Sequence, residues 1–364
     1  MMLHDGATVR TIPVLSQEDF RAGDWVEVRS KEEILRTLDE RGELESMPFM
    51  PEMFAFCGQR LRVYKRAHKT CDTVNDYKGR KLKDAVHLEG TRCDGRSHGG
   101  CEAGCLLFWK TAWLKPVSPD VAKPIESAPY DSPPRCTEGV VLAATRRPES
   151  SETTPAYRCQ ATQVPAATAP LGPWETRQYF EDYRSGNVGV GQILSGFIYM
   201  AYRHWLINLG IGIGPPLRWL YDRFQAVVGG VPYPRRHGTL PLGSKTPVSA
   251  LDLQPGEWVR VKDRDSILAT CDEGDFNRGM KFDAELVPYC GGRYRVLKRV
   301  TKILNEKTGV MQHMKTPCII LDSVVCQARY SECRLFCPRA VYSYWREIWL
   351  ERDESPQSSA AGRR

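Results

Sequence analysis

No run of about twenty apolar residues, the length a helix needs to span a bilayer, occurs in the chain. The longest candidate, VGVGQILSGFIYMAY at Val188–Tyr202, covers 15 residues and then meets Arg203 and His204. It reads as a buried or interfacial helix, so no membrane span is expected. The opening residues, MMLHDGATVRTIPV, show neither an apolar core nor a small-residue cleavage site, and a secretory signal is not expected. A cytoplasmic chain keeps its thiols reduced. Two common enzyme signatures are missing too: there is no phosphate-binding GxxxxGK[ST] and no HExxH. GIGIGPP at Gly210–Pro216 has alternating glycines but comes after a predicted helix instead of a strand, which excludes the dinucleotide fingerprint. The reading leans away from an enzyme.

What the chain does have is a repeated sentence. FCGQRLRVYKRAHK at Phe56–Lys69 returns as YCGGRYRVLKRVTK at Tyr289–Lys302. Cys57 and Cys290 are 233 positions apart, and so are Gly23 and Gly256, Trp25 and Trp258, Glu52 and Glu285. The register holds without a gap from Gly23 to Lys69, with roughly two in five positions identical, which marks an internal duplication. The match resumes at Cys93 and Cys326, then at Cys101 and Cys105 against Cys333 and Cys337, and ends on WKTAWL against WREIWL.

The 364 residues suit two or three domains, and a net charge of +7 permits an anionic partner without demanding one. We expect an α+β chain: an N-terminal arm (1–17), a Cys-rich β module (18–117), a Pro-rich linker with a hairpin (118–172), a three-helix segment (173–230), a second linker (231–250), the second Cys-rich β module (251–353) and a disordered tail (354–364). GDWVEVRS and GEWVRVKD alternate as strands. Ser30 and Glu33 form a capping box for a short helix. Short strands around a small helix suggest two homologous, barrel-like (SH3-like) modules.

The second copy acts as an internal control on the thirteen cysteines. Four positions carry Cys in both copies: Cys57, Cys93, Cys101 and Cys105, and Cys290, Cys326, Cys333 and Cys337. Four thiolates are a full ligand set for closed tetrahedral zinc, so two zinc sites are expected. No CxxC pair is present. Buried apolar thiols and disulfides are the competing readings. Cys71, Cys136, Cys159, Cys271 and Cys318 are unmatched.

The repeated strand also keeps Arg60, Arg62 and Arg66, which recur as Arg293, Arg295 and Arg299. One face of guanidiniums suits phosphate or carboxylate, and copy one adds His98 in the loop CDGRSHGGC. Arg60, Arg62, Arg66 and His98 are therefore the candidate anion-binding set. A solvated face with internal ion pairs is the alternative.

GDWVEVRSKEEIL, MPFMPEM and FCG, then CDG, FWK and WL, resemble a group of uncharacterised bacterial proteins. The resemblance covers both copies, implies a bacterial origin and carries no activity. The leading reading is a cytoplasmic, non-catalytic binding or scaffold protein, with a protein or anionic ligand as partner. The alternatives are an enzyme or enzyme accessory, with its site between the modules and the helices, and nucleic-acid binding through the basic strands.

Overall fold

The computed structural model describes residues 19–117, 135–206, 214–228, 230–331 and 333–353. The expected N-terminal arm, most of the Pro-rich stretch and the tail lie outside the described residues.

In copy one the order is β1 (Trp25–Val28), α1 (Lys31–Thr37), β2 (Glu43–Leu44), β3 (Met47–Pro48), β4 (Arg60–Arg66), β5 (Lys69–Cys71), β6 (Gly79–Lys81), β7 (Ala85–Leu88), β8 (Trp109–Lys110) and β9 (Leu114–Pro116). The middle holds α2 (Glu138–Ala143), α3 (Gln160–Ala167), β10 (Ala169–Pro170), α4 (Arg177–Arg184), α5 (Val190–Ala201) and α6 (Gly214–Val228). Copy two comes last, with β11 (Trp258–Val261), α7 (Arg264–Leu268), β12 (Phe276–Asn277), β13 (Met280–Lys281), β14 (Arg293–Leu304), β15 (Met311–Val325), β16 (Tyr342–Trp345) and β17 (Leu350–Arg352).

The fold is α+β, and each copy builds a five-stranded antiparallel sheet. The orders are β8-β7-β4-β1-β9 and β16-β15-β14-β11-β17, which correspond strand for strand. The registers agree as well: Trp25 faces Arg62 and Trp258 faces Arg295, while Val28 faces Leu114 and Val261 faces Leu350. Neither sheet closes into a barrel, because among the described residues its two outer strands do not pair with each other.

Local chemistry explains the shared elements. Ser30 accepts the Glu33 N–H, and the Glu33 carboxylate accepts the Ser30 N–H, completing the expected capping box. Asp263 caps α7 in the same place. Inward-facing Val26 and Val28, and Val259 and Val261, are fully buried. Trp109 and Trp113 fill the first core and Trp345 and Trp349 the second. The Trp113 indole donates to Thr37 Oγ1 at 3.0 Å, and Trp349 donates to Thr270 Oγ1 at 3.0 Å. Each of these two rings thus has a partner for its one polar atom.

Two expectations change. The runs expected to form a hairpin within residues 118–172 are mostly two short helices: Thr137 caps α2 by accepting the Val140 N–H, and the two runs pair antiparallel at the Arg146–Tyr157 bridge, with Arg158 N–H on Thr145 O at 2.7 Å and Arg147 N–H on Ala156 O at 3.0 Å. The sequence also predicts one apolar face on α6, from Leu217, Leu220, Tyr221, Phe224, Val227 and Val228; in the structure Leu220, Phe224 and Val227 are exposed and Tyr221 is buried. Val190, Leu194, Phe197 and Ile198 of α5 are exposed too. No helix among the described residues is long and apolar enough to cross a membrane.

The copies differ beyond β4, and that difference joins them. In copy two β14 and β15 run on as a long hairpin arm that lies on copy one and on the segment after it: Glu102 accepts the N–H groups of Thr301 and Lys302 at 2.6 and 3.1 Å, and at the tip Tyr157 N–H donates to Gly309 O at 2.7 Å. In copy one the equivalent arm is β5–β6, which lies on copy two: Lys69 Nζ donates to Leu335 O at 2.7 Å, and Arg339 Nη1 donates to Cys71 O at 3.1 Å. Thr73 and Glu306, 233 positions apart, hydrogen-bond to each other where the arms meet.

Candidate metal centre

Copy two's arm covers a loop of copy one that runs from β7 to β8. Cys93 N–H donates to Cys105 O at 2.8 Å, closing the loop base and bringing the two cysteines together. Gly95 then turns back with φ +73°, and its open face is filled: a Cβ there would stand 1.9 Å from Cys101 O. Only glycine fits this position. The short turn Arg96–His98 comes next, with Gly100 N–H on Gly95 O at 2.9 Å and Cys101 N–H on His98 O at 3.3 Å. The result gathers Cys93, His98, Cys101 and Cys105 around one small cavity of about 30 Å³, with Cys159 on its wall and Leu304 of the arm across it. Leu304 N–H donates to Cys101 Sγ at 3.3 Å.

Among the described residues, the one group of three His, Cys, Asp or Glu side chains with ligand atoms all within 4.8 Å is Glu52, Cys93 and His98. Glu52 comes from the 3₁₀ turn Pro51–Phe56. Cys93 Sγ donates to Glu52 Oε1 at 2.9 Å, and His98 Nδ1 stands 3.9 Å from the same oxygen. His98 is only 1% exposed, and the Arg158 backbone carbonyl faces it. Even so, neither ring nitrogen completes a hydrogen bond of ordinary geometry, and Glu52 Oε2 is also left over. Orphaned buried polar atoms are uncommon and mark strain, function or a missing ion.

Electrostatics agree. Burial holds the His98 ring below the usual histidine range, so it is neutral and free to donate a lone pair at neutral pH. Burial, with Glu52 beside it, pushes the Cys93 thiol far up, and burial pushes Cys105 and Cys159 up to about 12. Without a cation these thiols stay protonated. A bound divalent ion would reverse that, because a coordinating thiol is deprotonated outright. Sulfur and imidazole donors are the zinc set.

The expected ligand sets change membership. Cys57 does not line the cavity; its charged neighbours are Lys31 and Glu138. Its N–H caps the 3₁₀ turn on Phe54 O at 3.2 Å, and Gly58 N–H is tied to Val28 O at 2.9 Å, which holds the turn beside α1. Cys290 repeats this on Val287 O at 3.2 Å, with Gly291 tied to Val261 O at 2.9 Å. The four shared thiols of neither copy form a group among the described residues. Cys326 and Cys337 pack with Cys71 in a separate apolar cluster, and Cys333 is exposed. All thirteen cysteines are free thiols. Sequence reasoning overlooked Glu52 as a ligand-side group, since its counterpart Glu285 accepts the N–H groups of Arg329 and Tyr330 instead. It also overlooked Cys159, which has no shared counterpart to flag it.

The arginines are engaged within the chain. Arg60 pairs with Glu27 at 3.5 Å, and Arg66 pairs with Asp19 at 2.6 Å. Arg62 Nε donates to Gly23 O at 3.1 Å, and Arg295 Nε donates to Gly256 O at 3.1 Å. His98 is not on their face; it lies buried in the cavity wall.

The chain matches no protein-family model and no curated protein.

Proposed function

We propose a non-catalytic binding or scaffold protein whose first module is fixed by a zinc ion, held by Cys93, His98, Cys101 and Cys159, with the Cys105 thiol beside them. The observation that carries this is His98, a buried imidazole with no hydrogen bond of ordinary geometry at either nitrogen, facing thiols across a cavity of about 30 Å³. That space suits an ion or one water and leaves no room for a substrate, which favours a closed structural site over a catalytic one. Glu52 would then act as an outer partner that faces His98 Nδ1, 3.9 Å away, and orients the ring. Reduced thiols fit the cytoplasmic location expected from the sequence. Matching strand order and register support the reading of the copies as duplicated, SH3-like modules. The outward apolar side chains of α5 and α6 support the binding half of the proposal, since exposed groups of large apolar side chains mark interaction surfaces. The test is elemental analysis of chelator-free protein. Zinc should be present and fall by one equivalent in Cys159→Ser but not in Cys57→Ser. Folded protein without transition metal would refute the reading.

A second reading, a ligand site between the modules and the helices, has its own observation. A polar pocket of about 310 Å³ lies there, lined by Tyr64, Lys65, Gln192, Gln327 and Arg329 among others. Among the described residues neither Lys65 nor Arg329 has an ion-pair partner, and the buried Gln327 Oε1 is unpaired. Two like charges facing a cavity suit a small oxyanion. Saturable binding of inorganic phosphate, lost in Lys65→Met, would favour this reading. Nucleic-acid binding has the least support, because the repeated arginines already have partners.

A further inference from the structure

We propose a second zinc site at the seam, made by Cys71 from the arm of copy one and by Cys326, Cys333 and Cys337 from the loop of copy two. It rests on the metal reading of the first loop and extends it.

Cys326, Cys333 and Cys337 stand where copy one has Cys93, Cys101 and Cys105. Position 304, which reaches the first loop from the opposite arm, corresponds to position 71 at the 233 offset. Leu304 lies on the first cavity and its N–H meets Cys101. Cys71 makes the mirrored approach: it packs in one cluster with Cys337 and Cys326. At this seam the arm itself brings a sulfur. At the first site the arm brings leucine, and the outside sulfur comes from Cys159. Each thiol trio is thus met by one thiol from outside its own module.

Cys333 is tied to the same place by its backbone. Cys71 pairs with Gly79 across β5 and β6, and a Cβ on Gly79 would lie 2.7 Å from Cys333 O. Glycine at 79 lets the copy-two loop close onto the strand that carries Cys71. The seam is also built for negative charge. Arg339, only 2% exposed, donates to Cys71 O at 3.1 Å and Thr73 Oγ1 at 2.8 Å, with Cys71 Sγ 3.9 Å away. Its carboxylate partner, Glu306, is 3.6 Å away. Arg334 is close to the same three thiols. Zinc with four thiolates carries a net charge of about −2, and buried guanidiniums are the natural balance for it. Arg339 also lines the first cavity, so one buried cation serves both centres.

Elemental analysis of full-length protein purified without chelator tests this. Wild type should hold two equivalents of zinc, Cys71→Ser and Cys326→Ser one each, Cys159→Ser one, and the Cys71→Ser/Cys159→Ser double variant none. If Cys71→Ser does not fold, Cys326→Ser carries the same comparison from the other side of the seam. One equivalent in wild type, lost in Cys159→Ser and kept in Cys71→Ser and Cys326→Ser, overturns the second site and leaves the first. Zinc absent throughout overturns both. A wild-type mass lower by two hydrogens under non-reducing conditions, with a Cys71–Cys337 cross-linked peptide, would also overturn it in favour of a disulfide.

Discussion

Replacing His98 by leucine separates the metal reading from its rival by sign. Leucine is apolar and close in volume. If His98 is simply a buried core histidine, two orphaned nitrogens are removed, each of which costs about 1–3 kcal/mol when unsatisfied. His98→Leu should then stabilise the chain, or at worst leave it unchanged, whether or not zinc is present. If His98 is a ligand, the outcome depends on zinc. Losing an outer partner of a metal ligand already lowers affinity about 10–100-fold, up to about 2.7 kcal/mol, and an inner ligand must cost more. We expect His98→Leu to be destabilised by about 3 kcal/mol or more when both proteins are zinc-loaded, and to equal or exceed wild type after chelation. Urea unfolding with and without chelator reads both arms. A change of the same sign and size in the two conditions refutes the ligand role.

Other consequences are equally direct. Gly95→Ala should lose zinc as completely as Cys101→Ser, because a Cβ would meet Cys101 O at 1.9 Å; Gly58→Ala, with φ +74° but open space around it, should keep its zinc and cost about 1–2 kcal/mol. Arg62→Ala and Arg295→Ala should each lower stability by no more than about 1 kcal/mol, equally, since both donate one exposed 3.1 Å bond to a turn carbonyl; a large loss of anion binding from Arg62→Ala alone would contradict this. His87 is fully buried, with Nδ1 donating to Leu107 O at 2.8 Å and its pKa pushed down to about 3, mainly by burial. The unfolded chain takes up that proton below about 6.5, so stability is lost as pH falls from there toward 3, by about 3 kcal/mol at pH 4. His87→Asn should have a pH 7-to-4 stability difference smaller by that amount, and an unchanged difference would rule the mechanism out.

How far the sequence could be read depended on which constraint a repeated residue serves. The shared positions Trp25, Arg62 and Cys57 pointed to a common sheet order and register, because they report a common scaffold. Their shared presence does not say why they are shared. Cys57 and Cys290 recur beside a 3₁₀ cap and a glycine turn, and a comparison of two copies cannot tell a turn thiol from a ligand thiol. Arg62 and Arg295 recur as clamps on Gly23 and Gly256, which looks the same in sequence as a binding face. The thiols that approach the two loops from outside, Cys159 and Cys71, are set aside for the opposite reason, although Cys71 stands with His68, His87 and His98 among the unmatched residues of copy one that could substitute as ligands. They belong to segments outside the matched thiol set, so the internal control discards them. The stretch from Cys136 to Val164 has apolar runs short enough for either strand or helix, and the Thr137 cap decided for helix.

The exchange of arms has a thermodynamic consequence. Two copies joined by linkers would ordinarily move and unfold apart, since contacts between domains of one chain are usually modest. Here each thiol loop is covered from the other copy. Leu304 reaches Cys101, Glu102 holds Thr301 and Lys302, Lys69 holds Leu335, and Arg339 holds Cys71. Arg92 of copy one adds a bond to Ala340 O at 3.0 Å and lies 3.8 Å from the centre of the Tyr342 ring. Opening either copy exposes the buried Lys69–Asp182 pair (2.5 Å) or leaves Arg339 without its partners, and stranding one member of a buried charge pair costs about 3–5 kcal/mol. The copies should therefore unfold together. Calorimetry of the zinc-loaded chain is expected to give one transition, and Cys159→Ser and Cys71→Ser, whose thiols sit on opposite loops, should each lower that same transition instead of splitting it. Two resolved transitions in wild type, each moved by only one of the variants, would mean that the arms rest on the opposite copy without holding it.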